Sequence, residues 1–116
     1  MLRTLGLIGG LVLLTAASGP PALQKAFTGT IVSTYPDGRR AELWMNPSGT
    51  FTSLGRKNDR HTGRWTLRGD KVCFHRSLMS YCTAIPAKGG SFTTKAVTGE
   101  TIQVRLEPGR QGENAS

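Results

Sequence analysis

The stretch Gly63-Arg-Trp-Thr-Leu-Arg-Gly-Asp-Lys-Val-Cys-Phe-His-Arg-Ser-Leu-Met-Ser-Tyr-Cys82 decides the fold class. Trp65 and Leu67 alternate with Arg64, Thr66 and Arg68; Val72 and Phe74 alternate with Lys71, Cys73 and His75. Successive side chains of a pleated strand point to opposite sides, so this period marks strands with one buried face. Between the two runs stands Arg68-Gly69-Asp70. Glycine supplies a positive φ there and aspartate bonds its own backbone, which closes the strands into a hairpin. Arg76 to Met79 turns again, into a strand from Ser80 to Ile85. With Cys73 facing Cys82, Phe74 pairs with Tyr81 and His75 with Ser80, and the cysteines lie on the face opposite Val72 and Phe74.

The same grammar extends both ways. Phe27 to Thr34, Arg40 to Met45 and Thr50 to Leu54 read as the first three strands, separated by Pro36-Asp37-Gly38 and Asn46-Pro47-Ser48-Gly49. Gly55 to His61 reads as a polar, basic loop, Thr62 to Arg68 as the fourth strand and Lys71 to His75 as the fifth. Pro86 to Gly90 is a loop, and Ser91 to Val97 with Thr101 to Glu107 form a last hairpin around Thr98-Gly99-Glu100. Ile102, Val104 and Leu106 supply its inward face, and Phe27, Ile31, Leu43, Met45, Phe51, Ile85 and Phe92 are the other inward candidates. No segment beyond the N-terminal apolar run shows a helical period. Eight short sequential strands with tight turns predict an all-β, single-domain antiparallel meander, either a small barrel or a sandwich. Four strands open alike, at Gly29-Thr30-Ile31, Gly49-Thr50-Phe51, Gly63-Arg64-Trp65 and Gly90-Ser91-Phe92; a glycine at a turn or bulge ahead of an inward residue accounts for this.

The first 18 of the 116 residues hold Arg3, an apolar run from Leu5 to Leu14 and the small residues Thr15-Ala16-Ala17-Ser18. This is the pattern of a secretory signal peptide over residues 1–18, with a run too short for a membrane anchor. Gly19-Pro20-Pro21 opens an extended linker over 19–25, ahead of a β domain over 26–107. The tail 108–116 has no apolar residue but Ala115 and is expected to be disordered. No cysteine lies near the cleavage point, so lipid attachment is not expected. The mature product of about 98 residues suffices for one hydrophobic core, and the expected localisation is periplasmic or secreted, as a monomer.

An even pair of cysteines, Cys73 and Cys82, in an oxidising compartment reads as a disulfide. Fifteen Lys and Arg face seven Asp and Glu, a formal charge of +8, or +7 once Arg3 is removed. Such a surplus favours polyanionic partners. It concentrates in Arg56, Lys57, Arg60, Arg64, Arg68 and Lys71, the candidate anion-binding strip; the bland reading is a solvated sheet face. Few aromatics interleave with the strip, which disfavours nucleic acid. Trp44, between Leu43 and Met45, is either an exposed ligand platform or a core residue of the second face. His61 and His75 are the only histidines, and neither has a second ligand at metal spacing. No nucleophile elbow or catalytic triad pattern appears. The chain is therefore read as a non-enzyme without cofactor or metal.

Gly63-Arg64-Trp65-Thr66-Leu67-Arg68-Gly69-Asp70-Lys71-Val72-Cys73, then Tyr81-Cys82, together with Asn46-Pro47-Ser48-Gly49-Thr50-Phe51, resembles small exported β proteins of proteobacteria. The resemblance implies fold and compartment and carries no activity with it. Gly63-Arg64-Trp65 is also similar to the G-x-W of lipocalins, but lies mid-domain instead of at the first strand. The functional expectation is an envelope binding or accessory module that contacts an anionic envelope component or an acidic protein through the basic strip. The alternatives are an inhibitor that presents Gly55–His61 or Arg76–Met79 to a secreted hydrolase, and a carrier of a small apolar ligand in a barrel interior.

Overall fold

A computed structural model describes residues 22–86, 90–96, 98–110, 112 and 113. The signal-peptide reading of residues 1–18 lies outside the described residues. The described chain runs α1 (Ala22–Phe27), β1 (Gly29–Thr34), β2 (Arg40–Met45), β3 (Thr50–Leu54), β4 (Arg60–Arg68), β5 (Lys71–Arg76), β6 (Met79–Thr83), β7 (Ser91–Lys95) and β8 (Thr101–Pro108).

All eight strands belong to one antiparallel sheet in the order β6-β5-β4-β3-β2-β1-β8-β7. The meander therefore runs outward from β1 in one direction, and β8 folds back onto the free side of β1. The twist natural to L-residue strands curls the sheet into a half-barrel. It closes neither as a barrel nor as a sandwich: β6 and β7 are its edges and share no ladder among the described residues.

The core lies on the concave face. Ile31, Leu43, Met45, Phe51, Val72, Phe74, Ile102, Val104 and Leu106 form one buried cluster there, with the Phe51 and Phe74 rings edge to face at 5.2 Å. One end of the hollow is stoppered by α1. Leu23, Ala26 and Phe27 fall at the i, i+3, i+4 spacing of a single helical face; the first two are buried in the core cluster and Phe27 lies against Trp65 at 5.7 Å. The helix replaces residues 22–25 of the expected extended linker over 19–25 and the expected start of the first strand at Phe27; residues 19–21 lie outside the described residues. At six residues it is too short to display a period in sequence, and its stability comes from this burial and not from propensity.

Gly63 has a packing role that the turn-or-bulge reading missed. It sits inside β4 opposite Phe51, and a Cβ there would lie 2.8 Å from the Phe51 ring and collide with the His75 carbonyl. Gly49, in contrast, does occupy a turn, at φ 96°.

The convex face carries a second, smaller buried set of Thr30, Val32, Trp44 and Cys73. Trp44 is thus a core residue of the second face. Its indole N–H donates to Thr30 Oγ1 at 3.0 Å, and that hydroxyl donates in turn to the Gly109 carbonyl at 2.7 Å. The segment after β8 is held accordingly. The Gly109 amide bonds the Thr28 carbonyl, and the Arg110 guanidinium donates to the carbonyls of Phe27 at 2.9 Å and Met45 at 2.6 Å, to Asn46 Oδ1 and to Glu113. Residues 108–110, 112 and 113 therefore depart from the expected disordered tail. Composition marks a segment without apolar side chains as unable to collapse, but one arginine that satisfies two backbone carbonyls at the ends of α1 and β2 anchors it by polar contacts.

Cys73 and Cys82 form the disulfide, directly opposite one another in the β5–β6 ladder, with Phe74 against Tyr81 and His75 against Ser80. The other boundary shifts are small. β4 starts at Arg60, which shortens the expected Gly55–His61 loop to a turn closed by Gly55 N–H to the Asp59 carbonyl at 2.7 Å, with Asn58 at φ 65°.

Candidate functional site

At the end of the half-barrel opposite α1, four turns surround an opening: Tyr35–Arg39, Gly55–Asp59, Ser77–Leu78 and Ala96–Glu100. Below them the concave face encloses a cavity of about 490 Å³. Its floor is apolar, built by Ile31, Leu43, Phe51, Phe74, Ile102 and Val104. Ser33, Ser53, Thr83 and Thr94 place hydroxyls along its walls, and Tyr35, Arg56, His61, Arg76 and Tyr81 stand toward its rim. These positions follow from the two-residue period: Val72, Phe74 and Arg76 share one face of β5, and its last member reaches the rim.

The rim charges differ in how far they are satisfied. Arg56 spans three turns. Its guanidinium makes two 3.0 Å hydrogen bonds to the Glu100 carboxylate, lies 3.9 Å from Asp37, and stacks over the Tyr35 ring at 4.1 Å from its centre. His61 and Asp59 share a 2.6 Å hydrogen bond. Arg76, by comparison, reaches only Met79 Sδ among the described residues, at 3.7 Å, and thioether sulfur is a weak acceptor. Burial pushes the Tyr81 phenol up, while the charge of Arg76 pulls it back down.

The residues of the expected basic strip are not gathered in one place. Arg56 is clasped in the rim, and Lys57 is exposed in the adjoining turn. Arg60, Arg64 and Arg68 share the convex face of β4, because they differ by even numbers, and Lys71 stands opposite Arg68. Arg60 donates to the Glu113 carbonyl at 2.8 Å and lies over the Trp44 ring at 6.0 Å. Arg64, Arg68 and Lys71 are exposed, with no ion pair among the described residues. Beside them a shallow depression runs along the disulfide, lined by Thr66, Arg68, His75 and Ser80. His75 bridges Thr66 Oγ1 at 2.9 Å and Ser80 Oγ at 3.0 Å. Of the two residues central to the rim and the anchored tail, Arg76 entered the sequence reading only as the end of the basic Arg56–Arg76 segment and the start of the Arg76–Met79 loop, and Arg110 was not singled out. The alternation Val72-Phe74-Arg76 was the available signal for the first, while nothing local marks the second.

Three carboxylates titrate below their ordinary range. Hydrogen bonding to Arg56, and then to Thr98, holds Glu100 below 4.5; Arg110 does the same to Glu113; and His61 holds Asp59 below 3.8. A depressed carboxyl binds its proton more weakly folded than unfolded. Its contribution is therefore fully present above the ordinary value and lost as pH falls through the depressed one. The urea midpoint is expected to fall between about pH 5 and pH 3, and Glu100→Gln and Glu113→Gln each to flatten part of that fall. A midpoint independent of pH in that interval contradicts these pairings.

Among the described residues no group of three or more His, Cys, Asp or Glu converges as a metal site, and no helix is long and apolar enough to cross a membrane. Comparison with family models, curated proteins and solved structures finds no match.

Proposed function

We propose that the protein is a non-catalytic binding module that holds a small ligand in the hollow of its half-barrel. The observation that carries this is the cavity itself: about 490 Å³, apolar at the floor, polar at the rim, stoppered by α1 at one end and open at the other. Ligand sites are typically concave, about 300–1,000 Å³, mostly apolar and oriented by a few polar groups. The disulfide suits an oxidising compartment, and with the signal-peptide reading of residues 1–18 it supports a periplasmic or secreted carrier.

The test is titration with 1-aminoanthracene, a neutral fluorophore that brightens in apolar surroundings. The expected result is saturable binding of one molecule per chain. It should be lost when Ser33→Phe and Ser53→Phe fill the hollow from its walls, with the far-UV spectrum unchanged. Absence of saturable binding, or undiminished binding in a folded Ser33→Phe, Ser53→Phe variant, removes the proposal.

A second reading is favoured by one observation: Arg64, Arg68 and Lys71 form an exposed cationic group on the convex face with no ion pair among the described residues. Here the anionic partner is an envelope surface that meets that face. Reversal of charge at Arg64 and Arg68 is expected to abolish retention on anionic vesicles at low salt while leaving fluorophore binding intact; unchanged retention rules this reading out.

A further inference from the structure

We propose that the ligand of the hollow is an anionic amphiphile whose acidic head is held by Arg76 while its apolar body lies along the floor. This rests on the reading of the hollow as a ligand site and adds the class of molecule that it takes. Of the cationic groups lining the cavity, Arg56 is neutralised by Glu100 and Asp37, and His61 is engaged by Asp59. Lys57 stands in the exposed turn. Lys95 is exposed as well, and its ammonium donates to Thr101 Oγ1 at 3.1 Å. Arg76 differs from all four. It is half-buried at the concave end of β5, beyond Phe74 on the same face, and among the described residues its side chain bonds a sulfur atom.

A half-buried guanidinium that no carboxylate neutralises among the described residues is an arrangement that a matching anion relieves. Its planar fork fits the two oxygens of a carboxylate or phosphate. Tyr81, opposite Phe74 in the β5–β6 ladder, adds a second polar group on the same wall. Its phenol O–H is a neutral hydrogen-bond donor. Immediately below lie Phe74, Phe51, Ile102 and Val104, which offer an apolar body nothing to hydrogen-bond. A neutral hydrocarbon satisfies the floor and leaves Arg76 bare; a free small anion satisfies Arg76 and leaves the floor empty. An amphiphile with one acidic end satisfies both.

The experiment displaces bound 1-aminoanthracene from the full chain with three ligands of equal chain length: decanoate, decyl phosphate and decanol, each below its micellar concentration. At least one acidic ligand is expected to displace the probe at about a tenfold lower concentration than decanol, the scale of one charge-assisted hydrogen bond. The better of the two identifies the head group as carboxylate or phosphate. Arg76→Gln should remove the advantage by weakening the acidic ligands alone, with decanol and the fluorophore bound as before. Arg76→Lys should keep part of it. If decanol competes as well as both acids, or if Arg76→Gln retains the full preference, the proposal is overturned. If the fluorophore itself does not bind, the ligand-site reading fails instead, so the two failures are distinct.

Discussion

Phe74→Ala is expected to lower the free energy of unfolding by about 3–5 kcal/mol, the range for removal of a buried aromatic ring from a core. Phe74 is 1% exposed and ties three strands together. Its ring meets Phe51 of β3 edge to face at 5.2 Å and Tyr81 of β6 at 5.5 Å, and its backbone pairs with Trp65 of β4. Such ring pairs add about 0.5–1.5 kcal/mol beyond area burial. The half-barrel has few ways to refill the space, because the hollow is already open on one side of the ring and Gly63, pinned by the His75 carbonyl, cannot move in from the other. Domains of this size are stable by only about 5–15 kcal/mol, so the variant should lie at the edge of folding at 37 °C. Urea unfolding of Phe74→Ala beside Leu67→Ala provides the check. Leu67 is on the same concave face but 38% exposed, and its truncation should cost far less. A Phe74→Ala loss under about 1 kcal/mol would falsify the assignment of this ring to the core.

Much of that wall could be read in the sequence. The period of two in residues 64–68 and 71–75, with Gly69-Asp70 between them, contains the hairpin, its register and the side on which the disulfide lies. Short local pairings closed by glycine-aspartate or proline-asparagine turns encode themselves within a dozen residues, which is why β1 to β5 emerge with boundary errors of a few residues. Curvature is another matter. Whether eight strands close depends on a twist summed over the whole sheet and on whether β6 reaches β7, and no local pattern records either.

The candidate site shows the same division. Trp44, Arg56 and Arg60 were visible as residue types, but parity alone could not say that Arg60 would bond the Glu113 carbonyl or that Arg56 would be clasped by Glu100, 44 residues away. A run of cations in sequence therefore splits into a satisfied rim group and an exposed convex group. Arg110 shows the limit most clearly. Its importance lies in reaching the carbonyls of Phe27 and Met45, 83 and 65 residues away, and no spacing within its own segment contains that information.

Replacement of both Cys73 and Cys82 by alanine is expected to destabilise the protein by about 2.7 kcal/mol, the chain-entropy value for a closed loop of about ten residues. The bridge spans a sequence separation of 9 and joins β5 to β6. What makes the loss consequential is where β6 lies. It is an edge strand, paired on one side only, and its register partners in β5 are its sole ladder among the described residues. Its central residues Ser80, Tyr81 and Cys82 are exposed, so little apolar burial holds it beyond the contact of Tyr81 with Phe74. Without the bridge, β6 should fray before the rest of the sheet, since weakly buried edge elements open at free energies well below the global value. Fraying of β6 removes Met79, Tyr81 and Thr83 from the cavity wall. Two consequences should therefore separate. The global midpoint in urea falls by the amount of the lost cross-link, while amide exchange accelerates first in residues 79–83 and fluorophore binding weakens even where the rest of the domain stays folded. The reduced wild-type protein should behave as the double alanine variant does. Uniform acceleration of exchange across all eight strands would show instead that the bridge constrains only the unfolded chain and that β6 is held in place without it.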